Sequence, residues 1–234
     1  CAAVSAQLPL PGSGISKMSF STNGTTWSAA EAYAVTKIYT LPAGDGTKTV
    51  YVKFYDKAGS VSEVYSDSII LDTLAPTGTV KVNGGVSYIN QTAVTLNLAA
   101  KDTGSGLSKM SFSTNGTTWS AAETYAETKA WTFASGDGAK RVYVKFQDKT
   151  GKWSAATSVT VTLDTVKPTG TLNINSGAAY ANSTNVTLNL SGSDLNGIGQ
   201  MSFSSDGVNW AAPVAYATFS AFTLPAAAAR SSPA

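Results

Sequence analysis

The side chains best suited to chemistry in this sequence are carboxylates at the ends of apolar segments and in turns. Asp72, Asp102 and Asp148 carry the hard oxygen ligands that Ca²⁺ prefers. An aspartate in a turn also accepts hydrogen bonds from the nearby backbone, so a purely local role is the alternative interpretation. The sequence has no dense D-x-D-x-D pattern. A calcium site therefore requires the fold to bring distant carboxylates together.

Aromatic side chains suggest a second kind of chemistry, the stacking of rings on sugars. Trp119 and Tyr125 belong to a segment that occurs earlier in the chain with Trp27 and Tyr33 at the same places. We therefore consider Trp119 and Tyr125 candidate glycan contacts. Large rings also dominate the burial of apolar surface, so core packing is the alternative.

The composition excludes many classes of enzyme. Histidine is absent, so the chain lacks the commonest general base and zinc ligand. The single cysteine, Cys1, excludes an internal disulfide and a C-x-x-C pair. Serines have no histidine and no S-x-x-K arrangement to activate them. We predict that the protein is not an enzyme and has no cofactor beyond the candidate calcium ion.

Charge and hydropathy narrow the class of partner. The net charge of +2 is too small for the basic field that nucleic acid requires. No apolar run approaches the roughly 18 to 20 residues of a transmembrane helix. The order Cys1-Ala2-Ala3 fits the start of a mature bacterial lipoprotein, so Cys1 is a candidate lipid anchor, with an arbitrary cut as the alternative.

Internal repetition dominates the organisation of the chain. Residues 12–37 and 104–129 differ at only three positions and are offset by 92 residues, and a diverged third copy contains Met201 and Trp210. A period of this length matches a whole small domain. The predicted organisation has five segments: a leader (1–11), a partial first repeat (12–73), a complete middle repeat (74–165), a partial third repeat (166–225) and a divergent tail (226–234).

Within one period, apolar and polar residues alternate in short runs, as expected for strands with one buried face. Asn115-Gly116 supplies a hairpin turn, and Trp119 is predicted on the strand that returns from it. The middle repeat contains seven such segments and no credible helix. These features predict an all-β fold made of antiparallel β-sandwiches.

The segments DTLAPTGTV, GSGLSKMSFSTNGTTWS, VYVKFQDKTGKWS and LDT resemble bacterial immunoglobulin-like repeats of secreted and cell-surface proteins. This resemblance implies tandem immunoglobulin-like sandwiches, one complete and two partial. It implies an extracellular or cell-surface location, contacts with neighbouring repeats, and an unidentified extracellular protein or glycan as partner. In such an array the BC and FG loops of one unit face the preceding unit. The resemblance therefore implies that Asp102 and Asp148 lie near Asp72 as an interdomain calcium site.

The function that these features predict is mechanical. The chain is expected to be a non-catalytic structural spacer or adhesive stalk segment of a secreted or cell-surface bacterial repeat protein. Each short L-D-T-x-x-P junction limits bending, because proline fixes one backbone torsion. The alternative is an accessory carbohydrate-binding module of a secreted hydrolase.

The two partial repeats are expected to leave apolar faces and strand edges open. The first repeat begins near strand C, and the third lacks the last two strands. The tail departs from the repeat after Ala226, which suggests a truncated or frameshifted reading frame. The alternative is an exchange of strands between molecules, a known route to oligomers.

Overall fold

The computed structural model describes residues 14–225, which form β-strands, loops and a single three-residue 3₁₀ turn at Asn175–Gly177. The predictions for the leader, for a lipid anchor at Cys1 and for the tail lie outside these residues. In the described part of the chain, no helix has the length and apolar character needed to cross a membrane.

The described residues group into two compact units. The first contains residues 14–86, 93–133 and 140–161, and the second contains 87–92, 134–139 and 162–225. The repeat boundaries stay predictions from the sequence, and the repeat names are kept below as labels for those segments.

The first repeat forms one antiparallel sheet in the order β2-β1-β3-β4. Its strands are β1 (Ile15–Ser21), β2 (Glu31–Ala32), β3 (Gly46–Asp56) and β4 (Tyr65–Leu71). Met18 lies opposite Phe54 and Phe20 lies opposite Val52. Because alternate residues of a strand share a face, this register gathers the apolar side chains on one side of the sheet.

The middle repeat contains two sheets, ordered β10-β7-β5 and β6-β12-β11-β8-β9. The strands are β5 (Thr77–Val82), β6 (Tyr88–Ile89), β7 (Ala93–Lys101), β8 (Leu107–Ser113), β9 (Glu123–Thr124), β10 (Thr128–Thr132), β11 (Gly138–Asp148) and β12 (Thr157–Leu163). The short β6 pairs in parallel with β12 and was not among the seven predicted strands.

Side chains of β8 and β11 pack against β5 and β10. Phe146 of β11 is fully buried, and a Cβ on Gly78 of β5 would lie 2.4 Å from its ring. The rings of Phe112 and Trp131 are 5.5 Å apart. These contacts form the core of a two-layer β-sandwich, which confirms the predicted fold class.

The third repeat contains one three-stranded sheet and one pair of short strands. The sheet has the order β13-β14-β17, and β15 pairs with β16. Their bounds are β13 (Thr169–Ile174), β14 (Asn185–Ser193), β15 (Gln200–Met201), β16 (Val214–Ala215) and β17 (Phe219–Thr223). The three-stranded sheet repeats the order of β5, β7 and β10.

The turn after β8 is wider than a two-residue hairpin. Gly116 has a φ of 76°, and the Asn115 side-chain oxygen accepts hydrogen bonds from the backbone N–H groups of Thr117 and Thr118. The predicted strand position of Trp119 is wrong, because Trp119 lies between this turn and β9. Beyond Trp119, the Ser120 N–H donates to the Phe112 carbonyl, but the Phe112 N–H bonds to the Ser120 hydroxyl in place of a backbone carbonyl, so the regular strand pairing is not formed here.

Candidate metal centre

Three loops of the first compact unit bring the predicted carboxylates together. Asp72 follows β4, Asp102 follows β7 and Asp148 ends β11. One carboxylate oxygen from each residue lies within 4.8 Å of the other two. Among the described residues, this is the one group of three or more potential metal ligands.

Asp148 is the most deeply buried member of the cluster, at 1% exposure. Its Oδ1 accepts hydrogen bonds from the Lys152 backbone N–H at 2.9 Å and the Thr150 hydroxyl at 2.8 Å. Its Oδ2 is buried and has no hydrogen-bond partner. A buried carboxylate oxygen without a partner is costly, so this atom is suited to a cation.

In Asp102, as in Asp148, one carboxylate oxygen accepts hydrogen bonds and the other has no partner. Its Oδ2 accepts hydrogen bonds from the backbone N–H groups of Gly104 at 3.2 Å and Gly106 at 2.6 Å. Its Oδ1 is buried without a partner. One oxygen thus orders the loop and the other remains available as a ligand.

Asp72 connects the end of the first repeat to the loop that follows Asp102. Its Oδ2 accepts a hydrogen bond from the Ser105 backbone N–H at 2.7 Å, and its Oδ1 accepts one from Leu74 N–H at 3.1 Å. The side chain and the backbone N–H of Ser105 hold the pKa of Asp72 below its ordinary value, although burial acts in the opposite direction. Asp72 is therefore ionised at neutral pH.

Gly104 provides the space for the Asp72 carboxylate. A Cβ on Gly104 would lie 2.3 Å from the Asp72 Cγ and 2.5 Å from its Oδ2. Any larger residue would displace the carboxylate from the cluster. The sequence predicts a glycine-rich loop at Gly104-Ser105-Gly106, two residues after Asp102, but it does not predict the close approach of Gly104 to Asp72.

Lys152 is a second residue that the sequence analysis missed. Its ammonium donates a hydrogen bond to the Thr73 carbonyl, and its charge contributes to the lowered pKa of Asp72. Three carboxylates at this separation repel one another. One lysine does not balance three carboxylates, so a divalent cation with oxygen ligands suits the cluster.

Each junction is also held at its start by one further aspartate, Asp45 at the first and Asp137 at the second. The sequence analysis did not predict these contacts. Asp45 Oδ1 accepts hydrogen bonds from the Thr73 backbone N–H at 3.0 Å and hydroxyl at 2.8 Å. Asp137 makes the same two bonds with Thr165 at 3.0 and 2.8 Å. The available signal was the recurrence of G-D-G and L-D-T at the same offset of 92 residues.

The structure does not bring the two candidate glycan contacts together. The Lys145 ammonium lies 4.5 Å from the Trp119 ring centroid and 4.7 Å from that of Trp153. Tyr125 instead packs edge-on against Phe146 at 5.9 Å. Lys145 and Phe146 are consecutive in β11, so their side chains point to opposite faces of the sheet. Trp119 and Tyr125 thus belong to different surfaces.

The chain resembles known proteins in its fold, through solved structures of low sequence identity. No protein-family model and no curated protein matches the chain. Fibronectin(III)-like modules of Clostridium thermocellum CbhA are 17% identical, with a TM-score of 0.39 over 67% of this chain and 82% of theirs. The PKD1 domain of Vibrio anguillarum Epp is 15% identical, with a TM-score of 0.31 over 40% of this chain and 98% of that domain.

A tetra-tandem repeat from the extending region of a large adhesion protein is 14% identical, with a TM-score of 0.29. That match covers 90% of this chain and 58% of the repeat structure. The fold itself is established by the packed sheets of the middle repeat. The chain is all-β, with one complete immunoglobulin-like sandwich in the middle repeat and incomplete units in the other two, in agreement with the resemblance that its sequence motifs carry.

Proposed function

We propose that this chain is a non-catalytic spacer or adhesive stalk segment of a secreted or cell-surface repeat protein. Its first junction (71–76) is stiffened by a divalent cation, with Ca²⁺ as the expected ion. The observation that carries the proposal is the cluster of Asp72, Asp102 and Asp148, in which one oxygen of Asp148 and one of Asp102 are buried without partners.

The cation acts by joining chain segments that are far apart in sequence. Asp72 belongs to the end of the first repeat, whereas Asp102, in a loop, and Asp148, at the end of β11, belong to the middle repeat. An ion held by all three resists bending at the junction, because bending would separate its ligands. Weak Ca²⁺ sites of this kind, with Kd near 10⁻⁴ to 10⁻³ M, suit extracellular calcium concentrations.

The carbohydrate-binding alternative has less support. The Lys145 ammonium lies 4.5 Å from the ring centroid of Trp119 and 4.7 Å from that of Trp153, on the outer surface of β11. It stabilises both rings by cation–π attraction. A sugar would have to compete with that contact. Tyr125 is held in the packing of the sandwich, where its hydroxyl accepts a hydrogen bond from the Ala100 N–H.

The test is thermal unfolding of the chain at increasing Ca²⁺ concentration, with Mg²⁺ as the comparison ion. Binding to the folded state alone stabilises by about 2.7 kcal/mol at 100 times Kd. We expect Ca²⁺ to raise the melting temperature of the wild type by several degrees. Asp148→Asn, which preserves an oxygen for Thr150 and Lys152, is expected to abolish the increase.

Asp164→Asn at the second junction (163–168) is the matched control and should leave the Ca²⁺ response intact. An NMR measurement of the orientation of β4 relative to β7 should show reduced motion when Ca²⁺ is bound. An unchanged melting temperature at about 10 mM Ca²⁺, well above the Kd range of extracellular sites, would show that the cation does not stabilise the junction.

A further inference from the structure

The outer face of strands β8 and β11 in the middle repeat carries a lysine between two tryptophan rings. The Lys145 ammonium lies 4.5 Å from the ring centroid of Trp119 and 4.7 Å from that of Trp153. The negative face of an aromatic ring attracts a cation at this distance. Both tryptophans are half-buried. The lysine is therefore restrained on the face, and part of each ring remains exposed to solvent.

The first repeat has the same arrangement at the equivalent place. Lys53 and Trp27 precede Lys145 and Trp119 by 92 residues. The Lys53 ammonium lies 4.4 Å from the Trp27 ring centroid and 5.8 Å from that of Tyr55. Each repeat thus places one lysine beside two aromatic rings on the outer face of the same sheet.

The second ring comes from a different position in each repeat. Tyr55 pairs with Val61 in an isolated bridge of the first repeat, and Gln147 pairs with Trp153 in the equivalent bridge of the middle repeat. The aromatic residue is the first member of the pair in one repeat and the second member in the other. The ring beside the lysine is retained while its position in the sequence changes. This exchange indicates that a lysine with two flanking rings is the feature that the two repeats share.

Three cations form a row on the outer face of the middle repeat. Arg141 and Lys145 lie on the same face of β11, because residues an even number apart in a strand share a face. Lys109 of β8 lies opposite Gln147, which also belongs to this face. At a rise of about 3.4 Å per residue, the row extends for about 20 Å along the strand.

The segments that form this face contribute no carboxylate to it. Residues 107–124 and 140–161 contain only two acidic residues, Glu123 and Asp148. Glu123 lies opposite Met110, which is 2% exposed and faces the core. Asp148 is buried in the carboxylate cluster. The row of cations is therefore not balanced by its own strands and loops.

Arg141 has neutral partners on this face. Its guanidinium donates through Nε to the Thr160 hydroxyl at 2.9 Å and through Nη1 to the Tyr143 hydroxyl at 3.3 Å. Neither hydroxyl balances the positive charge, and Nη2 can donate to a further acceptor. The residue equivalent to Arg141 in the first repeat is Thr49. The complete row is therefore a property of the middle repeat.

We propose that this face binds an acidic polysaccharide. Carboxylate groups of the sugar chain contact Lys145 and Arg141, and the apolar sides of the sugar rings pack on the exposed parts of Trp119 and Trp153. A row of cations suits a polymer with repeated negative charges better than a single small anion, because the charges are complementary along its length. A neutral sugar would have to displace Lys145 from the rings, whereas an acidic sugar uses its ammonium as the ion partner.

The test is calorimetric titration of the full chain with polygalacturonate in the presence of EDTA, so the result does not depend on the proposed cation site. We expect binding at about 0.01 M salt and its loss at about 1 M salt, because the screening length falls from about 30 to about 3 Å. Highly methyl-esterified polygalacturonate has the same sugar backbone but few charges. It should bind at least tenfold more weakly.

Single charge variants locate the site. Lys145→Gln and Arg141→Gln should each weaken binding about threefold, since exposed ion pairs contribute modestly, and the double variant should weaken it about tenfold. Lys81→Gln is the matched control. Lys81 is exposed on β5, in the other sheet of the sandwich, between the buried Val80 and Val82. Its substitution removes the same charge and should leave binding unchanged.

The exchange of rings between the two repeats supplies a rescue experiment. Trp153→Val removes one ring from beside Lys145 and should weaken binding about threefold, since a cation–π contact contributes modestly at an exposed site. Adding Gln147→Tyr to this variant copies the pair Tyr55 and Val61 of the first repeat. The double variant should bind like the wild type, and this recovery would also show that the loss in Trp153→Val was not a failure to fold.

Four results would overturn the proposal. Absence of polygalacturonate binding at low salt would show that the face does not bind this class of polymer. Equal binding of the methyl ester would show that the cations are not used. Polyphosphate that binds as tightly at equal charge concentration would show that the face recognises charge and not a sugar. An equal loss in Lys81→Gln would show that net charge, and not this face, is responsible.

Discussion

The same sequence, L-D-T-x-x-P, joins the first repeat to the middle one and the middle repeat to the third, but the two junctions differ in structure. At the first junction, Asp72 joins Asp102 and Asp148 in a cluster of carboxylates. At the second, Asp164 Oδ2 accepts a hydrogen bond from the Asn196 side-chain amide at 2.8 Å. The first arrangement is suited to a cation, and the second is already satisfied by a neutral donor.

The middle and third repeats also differ in a strand near the junction. The middle repeat has β11, and the described part of the third repeat has no equivalent strand. Trp119 is half-buried and contacts Lys145 of β11. The equivalent Trp210 is 64% exposed, and the described part of the third repeat has no counterpart of β11. One strand thus supplies both the partner of the tryptophan and the third carboxylate. The comparison teaches that identical local motifs acquire different environments when one strand is missing.

The largest effect is expected from a substitution that removes the space for Asp72. Gly104→Ala places a Cβ 2.3 Å from the Asp72 Cγ, so the carboxylate must leave the cluster. We expect a loss of about 1 to 3 kcal/mol in the free energy of unfolding, together with loss of the Ca²⁺ response. Urea denaturation with and without Ca²⁺ measures both.

The matched control is Gly199→Ala in the third repeat. No atom lies within 4 Å of a Cβ at Gly199, and its φ is not positive. A change within about 0.5 kcal/mol is therefore expected. Equal losses in both variants would contradict the special role of Gly104.

The next largest effect is expected from loss of the aspartate–threonine hydrogen bonds that both junctions contain. Asp45→Ala removes both hydrogen bonds to Thr73, and Asp137→Ala removes both to Thr165. Each variant should lose about 1 kcal/mol, since exposed hydrogen bonds contribute modestly to stability. Hydrogen exchange at the threonine amides should increase locally in each case. If only one variant responds, the junctions differ here too.

A smaller effect is expected at the hydrogen bond found only at the second junction. Asn196→Ala removes the donor to Asp164, with an expected loss of about 0.5 kcal/mol. The Ca²⁺ response should be unchanged, because the hydrogen bond that is lost belongs to the second junction. A reduced Ca²⁺ response would mean that the ion binds at the second junction as well.

The smallest effect is a pH dependence confined to the third repeat. The side chain and backbone N–H of Asn209, with the backbone N–H of Val208 and the Ser204 hydroxyl, hold the pKa of Asp206 well below its ordinary value. Stabilisation by the ionised carboxylate is complete above the ordinary pKa of about 4 and is lost as the pH falls through the lowered value. The Asp206 turn should therefore loosen only in strong acid.

Amide chemical shifts of Val208 and Asn209, followed from pH 7 down to strong acid, measure this loosening. The equivalent turn of the middle repeat is held by Asn115, a neutral side chain that makes similar backbone contacts. Its amides should not titrate, and Asp206→Asn should abolish the pH dependence of the third repeat. Titration of the Asn115 turn in the same range would point to a global acid transition instead.

Much of this architecture could be predicted from the sequence because its signals are local. The period-two alternation of Val142, Val144 and Phe146 predicts a strand with one buried face, and β11 has that structure. Turn residues such as Asn115 act on their own backbone, so the position of the turn follows from the sequence, although its width and the absence of a strand at Trp119 do not. The two-residue β6 was missed, because a strand of that length has no detectable alternation and forms only against β12.

Sequence and tertiary structure each contribute different features of the candidate metal site. The sequence by itself determined the repeats, the β-sandwich and the residue types that can bind a cation, because these depend on alternation, turns and ligand chemistry. Only the tertiary structure decided that Gly104 makes room for Asp72 and that Lys152 lies beside it. It also placed Trp119 and Tyr125 on different surfaces. Such relations join residues far apart in the chain, and packing in three dimensions sets the distances between them.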